Sequence, residues 1–281
     1  MDRDRLTITL RTDLLRRLDD IIDGVKIRNR SHAIEYLLSQ SLAPKVTQAI
    51  ILAGGKGVKM RPLTYEVPKP LIPVAGRPVI EYTIEMLRSA GIREIIIAIG
   101  HLGEKIRDSL GNGKKFGVKL TYSEETGDLG SAGALRQARS FLDQKPFVVV
   151  NGDILTTFRI SELTIFHQED KYICSMALST KPNTQGYGVA MLRGERIVDF
   201  LKQDKKQTTQ VVNAGMYVMN YAFFEYIPKS GSASLEDCFV KLAHAGKLAG
   251  FSFEHPWFEV STPVNYERAI KSWKIILQVK N

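Results

Sequence analysis

A glycine-rich segment with interspersed lysines, LAGGKGVKMRP from Leu52 to Pro62, follows the apolar run TQAII. Its three glycines lie within four residues and leave backbone N–H groups that can surround phosphate oxygens, while the cations can neutralise phosphate charge. A P-loop is excluded because Met60 follows Lys59 where that motif requires Ser or Thr, and a dinucleotide fingerprint is excluded because its third glycine is missing. The segment therefore predicts a phosphate-binding loop of another kind.

A carboxylate follows a second strand-like run, PFVVVNGD, which ends at Asp153. From Val46 onward such runs alternate with segments of helical periodicity, which indicates an α/β fold with a parallel sheet covered by helices on both faces. Ligands of these sheets bind at the carboxyl ends of the strands, so we expect the glycine loop and Asp153 to line one cleft. Between Tyr172 and Tyr226 strand-like runs dominate. They predict a mixed or antiparallel part that holds a second substrate.

The first 44 residues follow a different pattern. Residues Arg5 to Leu10 alternate between polar and apolar side chains, which predicts a strand. Two apolar helical stripes follow, around Leu14 to Ile22 and around Ile34 to Leu42. One short strand and two helices are too few to bury these faces, so we expect a homodimer or higher homo-oligomer in which two strands pair. The expected domains are residues 1–44 and residues 45–281.

This first segment resembles the ribbon-helix-helix family of DNA-binding proteins. In that family the polar face of the strand enters the major groove, and the N-terminus of the second helix contacts a phosphate. The resemblance implies DNA contacts from two groups of residues, namely Arg5, Thr7 and Thr9 on the strand, and Asn29, Arg30 and Ser31 at the second helix. Residues 1–45 hold nine Lys and Arg against seven Asp and Glu, a net charge of +2. Because DNA affinity depends on phosphate neutralisation, a role limited to dimerisation or protein contact stays open.

The large segment carries a series of motifs that begins with the glycine loop. The loop continues as PLTYEVPKPLIPVAGRPVIEYTIEML, and LGSAGAL, VVNGD, GYGV, NAGMYV and WFEVSTPVNY follow in order. Over about residues 46 to 280 the chain thereby resembles the sugar-1-phosphate nucleotidyltransferases, also called nucleoside-diphosphate-sugar pyrophosphorylases. The resemblance implies a Rossmann-like nucleotidyltransferase fold, with a mixed sheet flanked by helices, placed after the small ribbon-helix-helix module.

The resemblance also implies an activity and a set of site residues. The activity is Mg²⁺-dependent joining of a nucleoside triphosphate and a sugar 1-phosphate to an NDP-sugar and pyrophosphate, in which positioning and charge neutralisation carry catalysis. The implied nucleotide-binding residues are Leu52, Ala53, Gly54, Gly55, Lys56, Gly57, Glu124 with its neighbour Glu125, and Gly130. The implied catalytic residues are Lys59, Lys69 and Asp153. The implied Mg²⁺ ligands are Asp153 and Glu259, and the implied sugar-phosphate contacts are Gly188, Lys202 and Asn213.

Three departures from the family pattern bear on activity. Lys59 stands where the family has arginine, and it keeps the charge but not the bidentate geometry. Glu259 replaces the usual aspartate and is one methylene longer, although Mg²⁺ demands tight octahedral geometry. The sugar motif Glu-Lys-Pro is replaced by Lys202-Gln203-Asp204, which loses an acceptor for sugar hydroxyls. The identities of the base and of the sugar stay open.

The composition is that of a globular protein with a basic balance. The formal net charge is +9, which favours anionic partners. Cys174 and Cys238 lie in apolar runs and are expected to be core residues in a reducing compartment. The charged N-terminus and the absence of a long apolar run predict a cytoplasmic protein without membrane contact. Two hypotheses remain: an active nucleotidyltransferase tethered to a DNA-binding module, or a catalytically weakened regulator that senses a nucleotide or a nucleotide-sugar.

Overall fold

A computed structural model describes residues 7–25, 27–42, 46–167, 171–202 and 210–280. The chain divides into two compact units, Met1–Lys45 and Val46–Asn281. No helix among the described residues is both long enough and apolar enough to cross a membrane. Both cysteines are buried, as the apolar runs around them predict.

The first unit contains two helices, α1 (Thr12–Asp19) and α2 (Arg30–Leu42). Asn29 precedes α2 and caps it, because its Oδ1 accepts a hydrogen bond from the backbone N–H of His32 at 2.9 Å. Residues 7–10 form no strand, and Arg5 lies outside the described residues. The predicted strand requires a second copy to pair with, so it stays a prediction.

Two of the predicted DNA-contacting residues at α2, Asn29 and Arg30, have partners within this unit. Arg30 forms a bidentate ion pair with Asp19, with Nε–Oδ1 and Nη2–Oδ2 distances of 2.7 and 2.8 Å. Ser31 is exposed on the first turn of α2. Thr7 and Thr9, which precede α1, are also exposed. The ion pair with Asp19 occupies Nε and Nη2 of Arg30 and leaves Nη1 available for another contact.

The second unit alternates strands and helices, with short 3₁₀ turns between them. Its strands and helices are β1 (Gln48–Leu52), β2 (Pro73–Val74), β3 (Arg77–Pro78), α3 (Val79–Ser89), β4 (Glu94–Ile99), α4 (Gly103–Leu110), β5 (Lys119–Glu124), α5 (Gly130–Ala138), β6 (Phe147–Asn151), β7 (Ile154–Thr156), α6 (Ile160–Phe166), β8 (Cys174–Lys181), β9 (Val189–Arg193), β10 (Arg196–Leu201), β11 (Gln210–Met219), α7 (Leu235–His244), β12 (Leu248–Ser252), β13 (Trp257–Glu259) and α8 (Pro263–Lys280).

A central mixed sheet organises this unit. Its described strands lie in the order β5-β4-β1-β6-β11-β8-β12-β10-β9. Strands β5, β4, β1 and β6 are parallel, whereas β11 is antiparallel to both β6 and β8. The sheet is therefore parallel in its first part and mixed in its second, as the sequence pattern predicts. Two short pairs, β2–β3 and β7–β13, lie outside it.

Both faces of the parallel part are buried. Strand β1 shows why, because Ala49 and Ile51 belong to one core cluster with side chains of α3, while Ile50 belongs to another with side chains of α5. Such strands read as continuous apolar runs, and each fully buried aliphatic side chain contributes about 1.5–3 kcal/mol. The carboxyl ends of β1 and β6 are thereby held side by side, with Leu52 opposite Asn151.

Candidate active site

A cavity of about 680 Å³ opens at the carboxyl ends of β1, β4 and β6. The glycine loop forms one wall. The loop is fixed at both ends, because the Ala53 N–H donates to the Ala98 carbonyl at 2.8 Å and the Thr64 hydroxyl donates to the Gly57 carbonyl at 2.7 Å. Gly57 has a φ of 60°, which glycine adopts at no steric cost. All six predicted loop residues, Leu52 to Gly57, line the cavity.

The surrounding atoms leave no room for a side chain at Gly54. A Cβ there would overlap the carboxyl group of Glu125 and would lie 3.2 Å from the backbone nitrogen of Gly100. The Gly54 carbonyl accepts a hydrogen bond from the His101 N–H at 3.2 Å. The loop backbone therefore packs directly on the end of β4, and the carboxyl group of Glu125 lies beside it.

The floor of the cavity is an ion pair between two predicted catalytic residues. Lys69 Nζ lies 2.5 Å from Asp153 Oδ2, and the Asp153 side chain is only 6% exposed. Burial disfavours the Lys69 ammonium, but the Asp153 carboxylate outweighs this effect and raises the pKa of Lys69. The next residue before Asp153, Gly152, donates its N–H to the Leu52 carbonyl at 2.9 Å. The loop and the carboxylate are thus brought together, as predicted.

Glu259 reaches the same floor from a different part of the chain. Strand β13 pairs antiparallel with β7, which places Glu259 opposite Ile154, and the Val260 N–H donates to the Asp153 carbonyl at 2.9 Å. Burial, with the Asp153 charge in addition, raises the pKa of Glu259 to about 7. Two buried carboxylates that share one lysine repel each other, so the floor has an excess of negative charge.

This carboxylate pair fits a divalent cation. Among the described residues, no group of three or more His, Cys, Asp or Glu side chains is arranged to hold a metal ion. Mg²⁺ does not need such a group, since it is commonly held by one or two carboxylates together with phosphate oxygens and water. The donor set of Asp153 and Glu259 is therefore chemically suited to Mg²⁺ in the presence of a phosphate ligand.

On the far side of the cavity, the structure places Glu125 and not Glu124 in the lining. Glu124 does not line the cavity, because its exposed carboxylate turns to Arg107 Nη2 at 3.0 Å. Its neighbour Glu125 lines the cavity instead, and burial together with the Asp128 charge raises the pKa of Glu125 to about 7. Gly130 lines the cavity as predicted and has a φ of 68°. The ion pair of Lys56 and Asp128, at 3.1 Å, connects the glycine loop to this side.

A second cavity of about 470 Å³ shares Glu259 with the first. Lys59 lines this second cavity and not the first, because Gly57 and the 3₁₀ turn Val58–Met60 redirect the chain after the loop. Lys181 and Arg268 also line it, and sequence reasoning did not identify either residue. Burial lowers the pKa of Lys181, although the Glu259 charge opposes this shift. The second cavity is therefore cationic and adjoins the carboxylate pair.

The three predicted sugar-phosphate residues are not brought to either cavity. Lys202 forms an ion pair with Asp237 in the first turn of α7. The Asn213 side chain donates to the Tyr217 hydroxyl at 2.8 Å and accepts from the Gly215 N–H at 2.9 Å. At Gly188 a Cβ would overlap the ring of Phe200. This glycine is therefore explained by packing in the described part of the chain.

The sequence and the fold are similar to those of known nucleotidyltransferases. The chain is 30% identical over 224 residues to mannose-1-phosphate guanylyltransferase catalytic subunit beta of Danio rerio, across 78% of this chain and 62% of that protein. It is 32% identical over 225 residues to mannose-1-phosphate guanyltransferase 2 of Candida glabrata, with the same two shares. The chain thus spans 62% of the length of these two relatives.

Solved structures of other proteins share the architecture of the second unit. A Bacillus anthracis protein, provisionally described as a glucose-1-phosphate thymidylyltransferase and bound to sucrose, superposes with a TM-score of 0.74 at 26% identity, over 80% of this chain and 94% of that one. A UDP-glucose pyrophosphorylase bound to UDP-glucose has a TM-score of 0.69 at 17% identity, over 82% and 98%, which is a likeness of fold alone. The family described as Nucleotidyl transferase matches residues 48–274. The chain belongs to the nucleotidyl transferase family.

Proposed function

We propose that the chain is a sugar-1-phosphate nucleotidyltransferase, which joins a nucleoside triphosphate to a sugar 1-phosphate and releases pyrophosphate. The observation that carries the proposal is the contact between Lys69 and Asp153 at 2.5 Å, beneath a glycine loop and beside Glu259. Family membership and the named relatives support the same reaction class. DNA binding is a separate proposal about the first unit.

The reaction needs little covalent chemistry from the protein. An oxygen of the sugar phosphate attacks the α-phosphorus of the triphosphate, the α–β phosphoanhydride bond breaks, and pyrophosphate leaves with the electron pair. Backbone N–H groups of the Gly54 to Gly57 loop hold the triphosphate, and Lys69 lies at the floor as a positive point charge toward the phosphates. Mg²⁺ held by Asp153 and Glu259 would act as a Lewis acid on the phosphate oxygens.

We further propose that the preferred base is guanine. Guanine presents adjacent N1–H and N2–H₂ donors, and a carboxylate accepts both. Glu125 lines the cavity, and its carboxyl group lies against the backbone of Gly54. Asp128 also lines the cavity but is paired with Lys56, and Glu124 is engaged by Arg107. The relatives named as guanylyltransferases support this base and support mannose 1-phosphate as the first acceptor to test.

The test is a matrix assay with the full chain. The four nucleoside triphosphates are each combined with mannose 1-phosphate, glucose 1-phosphate and other sugar 1-phosphates, with and without Mg²⁺. Pyrophosphate release and the NDP-sugar product are both measured. We expect turnover that requires Mg²⁺ and is fastest with GTP and mannose 1-phosphate. Absence of turnover with every pair, while the nucleotides still bind, would overturn the enzyme and support a sensing role.

For the first unit we propose a ribbon-helix-helix dimer that binds DNA. Its support is the pair α1 and α2 together with apolar side chains that are left exposed, Leu14 at 40%, Leu37 at 44% and Leu38 at 45%. A second copy would cover these side chains. Light scattering tests for the dimer, and a mobility shift on the upstream DNA of the protein's own gene tests for DNA binding. Monomeric protein, or binding that survives joint alanine substitution of Arg5, Thr7 and Thr9, would contradict the proposal.

A further inference from the structure

The second cavity gathers three cations from distant parts of the chain. Lys59 comes from the 3₁₀ turn after the glycine loop, Lys181 from the end of β8, and Arg268 from α8. Its volume of about 470 Å³ is within the range of about 300–1,000 Å³ that is typical of small-molecule sites. Asn183 and Asn265 contribute polar side chains to its lining. The cavity has the size and the polarity to hold a sugar phosphate.

The positive charge in this cavity is only partly balanced by acidic side chains in the described part of the chain. Glu259 is the one acidic side chain that lines it among the described residues, and it also faces Asp153 and Lys69. Within the described part of the chain, none of the three cations has a carboxylate oxygen within 4.0 Å. Three cations against one shared carboxylate leave an excess of positive charge, which an anionic ligand would balance.

Lys181 is held in place by an aromatic ring. Its Nζ lies 4.4 Å from the ring centroid of Trp257, which is a cation–π contact. Trp257 is itself fixed, because its Nε1 donates to the Ala214 carbonyl at 2.9 Å and its side chain is buried. A half-buried lysine with its ammonium held over a fixed ring is a pre-organised donor, and it loses little further freedom when it binds a ligand.

The start of α8 adds to the same potential. Val264 and Asn265 in the first turn of this helix of 18 residues line the cavity, as does Thr262, which directly precedes the helix. The N-terminal end of a helix carries partial positive charge. Asn265 is oriented by the Tyr187 hydroxyl, which accepts from its Nδ2 at 3.2 Å. The helix end supports the side-chain cations and does not replace them.

We propose that this second cavity binds the phosphate monoester of the acceptor, through Lys181 and Arg268 together with Lys59. Its role as the acceptor site rests on the proposed function. The residue expected from the family motif, Lys202, is engaged by Asp237 away from both cavities. The family's sugar motif is replaced by Lys202-Gln203-Asp204 in this chain, and in our proposal other residues bind the acceptor phosphate in its place. Because Glu259 lines both cavities, an acceptor phosphate there lies next to the carboxylate pair.

Binding and turnover are measured separately in the test. Mannose 1-phosphate, and in parallel inorganic phosphate, is titrated calorimetrically into the full chain loaded with a GTP analogue that resists α–β cleavage. The variants are Lys181→Met, Arg268→Gln, Lys181→Arg and Lys202→Met. Lys274→Gln is the matched control, because Lys274 is exposed on the same helix as Arg268 and lines neither cavity. Steady-state kinetics with GTP and mannose 1-phosphate follow where turnover is found.

We expect Lys181→Met and Arg268→Gln each to raise the Kd and the KM for mannose 1-phosphate at least tenfold, because each removes a charge-assisted hydrogen bond. The Kd for GTP should change less than twofold, and Lys181→Arg should restore most of the affinity. The proposal is overturned if Lys202→Met weakens acceptor binding and Lys181→Met does not. It is also overturned if Lys181→Met raises only the KM for pyrophosphate in the reverse reaction. Acceptor binding that depends on Lys181 without any turnover would contradict the proposed function and leave this site in place.

Discussion

The carboxyl group of Glu125 lies against the Cα of Gly54, in the space that a side chain at position 54 would occupy. This contact joins the glycine loop to the side of the cavity where we propose that the base binds. The terminal carboxyl of a glutamate can rotate away, whereas the backbone of Gly100, 3.2 Å from the same point, cannot. The consequence of filling this space should therefore fall mainly on Glu125.

Gly54→Ala should reduce the preference for GTP and leave the protein folded. The added methyl group displaces the Glu125 carboxylate, and loss of a bidentate contact to a base costs about 1–3 kcal/mol, roughly 5- to 150-fold in discrimination. The measurement is kcat/KM for GTP against ATP, for Gly54→Ala, for Glu125→Ala and for the double variant. Because both changes remove one interaction, their effects should not add.

Gly55→Ala is the matched control for this prediction. A Cβ at Gly55 meets no atom within 4 Å. Its base preference should equal that of the unchanged protein. If Gly54→Ala and Glu125→Ala shift base preference by independent, additive amounts, the contact between them does not position the carboxylate.

Glu125 should make GTP affinity depend on pH. Burial and the Asp128 charge raise the pKa of Glu125 to about 7, so the carboxylate to which we assign the guanine contact forms only as the pH rises through this value. The ratio of the GTP affinity of the unchanged protein to that of Glu125→Gln should increase from pH 6 to pH 8. The slope should approach about tenfold per pH unit below pH 7 and vanish above it. A ratio that is constant over this range would contradict the role of Glu125.

The same pKa has an opposite effect on the stability of the ligand-free protein. In the unfolded chain Glu125 ionises near the ordinary glutamate pKa of 4.5, whereas in the folded protein it keeps its proton up to about pH 7. Between these values the folded state binds more protons, so the free energy of unfolding falls as the pH rises. Urea unfolding from pH 4.5 to pH 8 should show this loss in the unchanged protein relative to Glu125→Gln, with no further divergence above pH 7.

Sequence patterns predicted the position of a residue in the cavity when that residue lies at the end of a buried strand. Leu52 and Asp153 follow continuous apolar runs, and parallel strands place such ends side by side. The side chain that faces the cavity was harder to predict at β5. Glu124 is the last strand residue and turns to Arg107, while the Glu125 N–H still donates to the Ile99 carbonyl at 2.8 Å. Successive side chains keep alternating between the two faces past the end of β5 only if the neighbouring strand β4 still pairs with it. The periodicity of the sequence does not reveal that pairing.

Long-range packing explains the remaining differences. Lys202 meets Asp237 because α7 packs on β10, a contact between residues 35 positions apart. Several strands of the sheet lie between Lys181 and Arg268 in the sequence. The two residues come to one cavity only in the folded chain. No local spacing could have identified these two residues as parts of one cavity.

Lys69→Met should destabilise the protein and nearly abolish turnover. It leaves Asp153 and Glu259 without their shared cation, and breaking a buried pair costs about 3–5 kcal/mol, with the lower end expected because the Lys69 side chain is 24% exposed. Loss of one preorganised charge at the reacting phosphates should lower kcat by about 100-fold or more. Thermal unfolding and initial rates measure the two effects. Lys69→Met with Asp153→Asn should be more stable than Lys69→Met alone, and Lys247→Met, at an exposed position, should change neither property.

Glu259→Gln should weaken the response to Mg²⁺ while Glu259→Asp retains it. The amide keeps the shape of the side chain but lacks the charge that Mg²⁺ requires, so we expect the Mg²⁺ concentration for half-maximal rate to rise about tenfold or more. Aspartate keeps the charge and shortens the side chain by one methylene group. Rates at graded Mg²⁺ concentrations with saturating GTP provide the measurement, and Glu254→Gln, at an exposed position near β13, is the control. An unchanged Mg²⁺ response in Glu259→Gln would show that Asp153 holds the metal without Glu259.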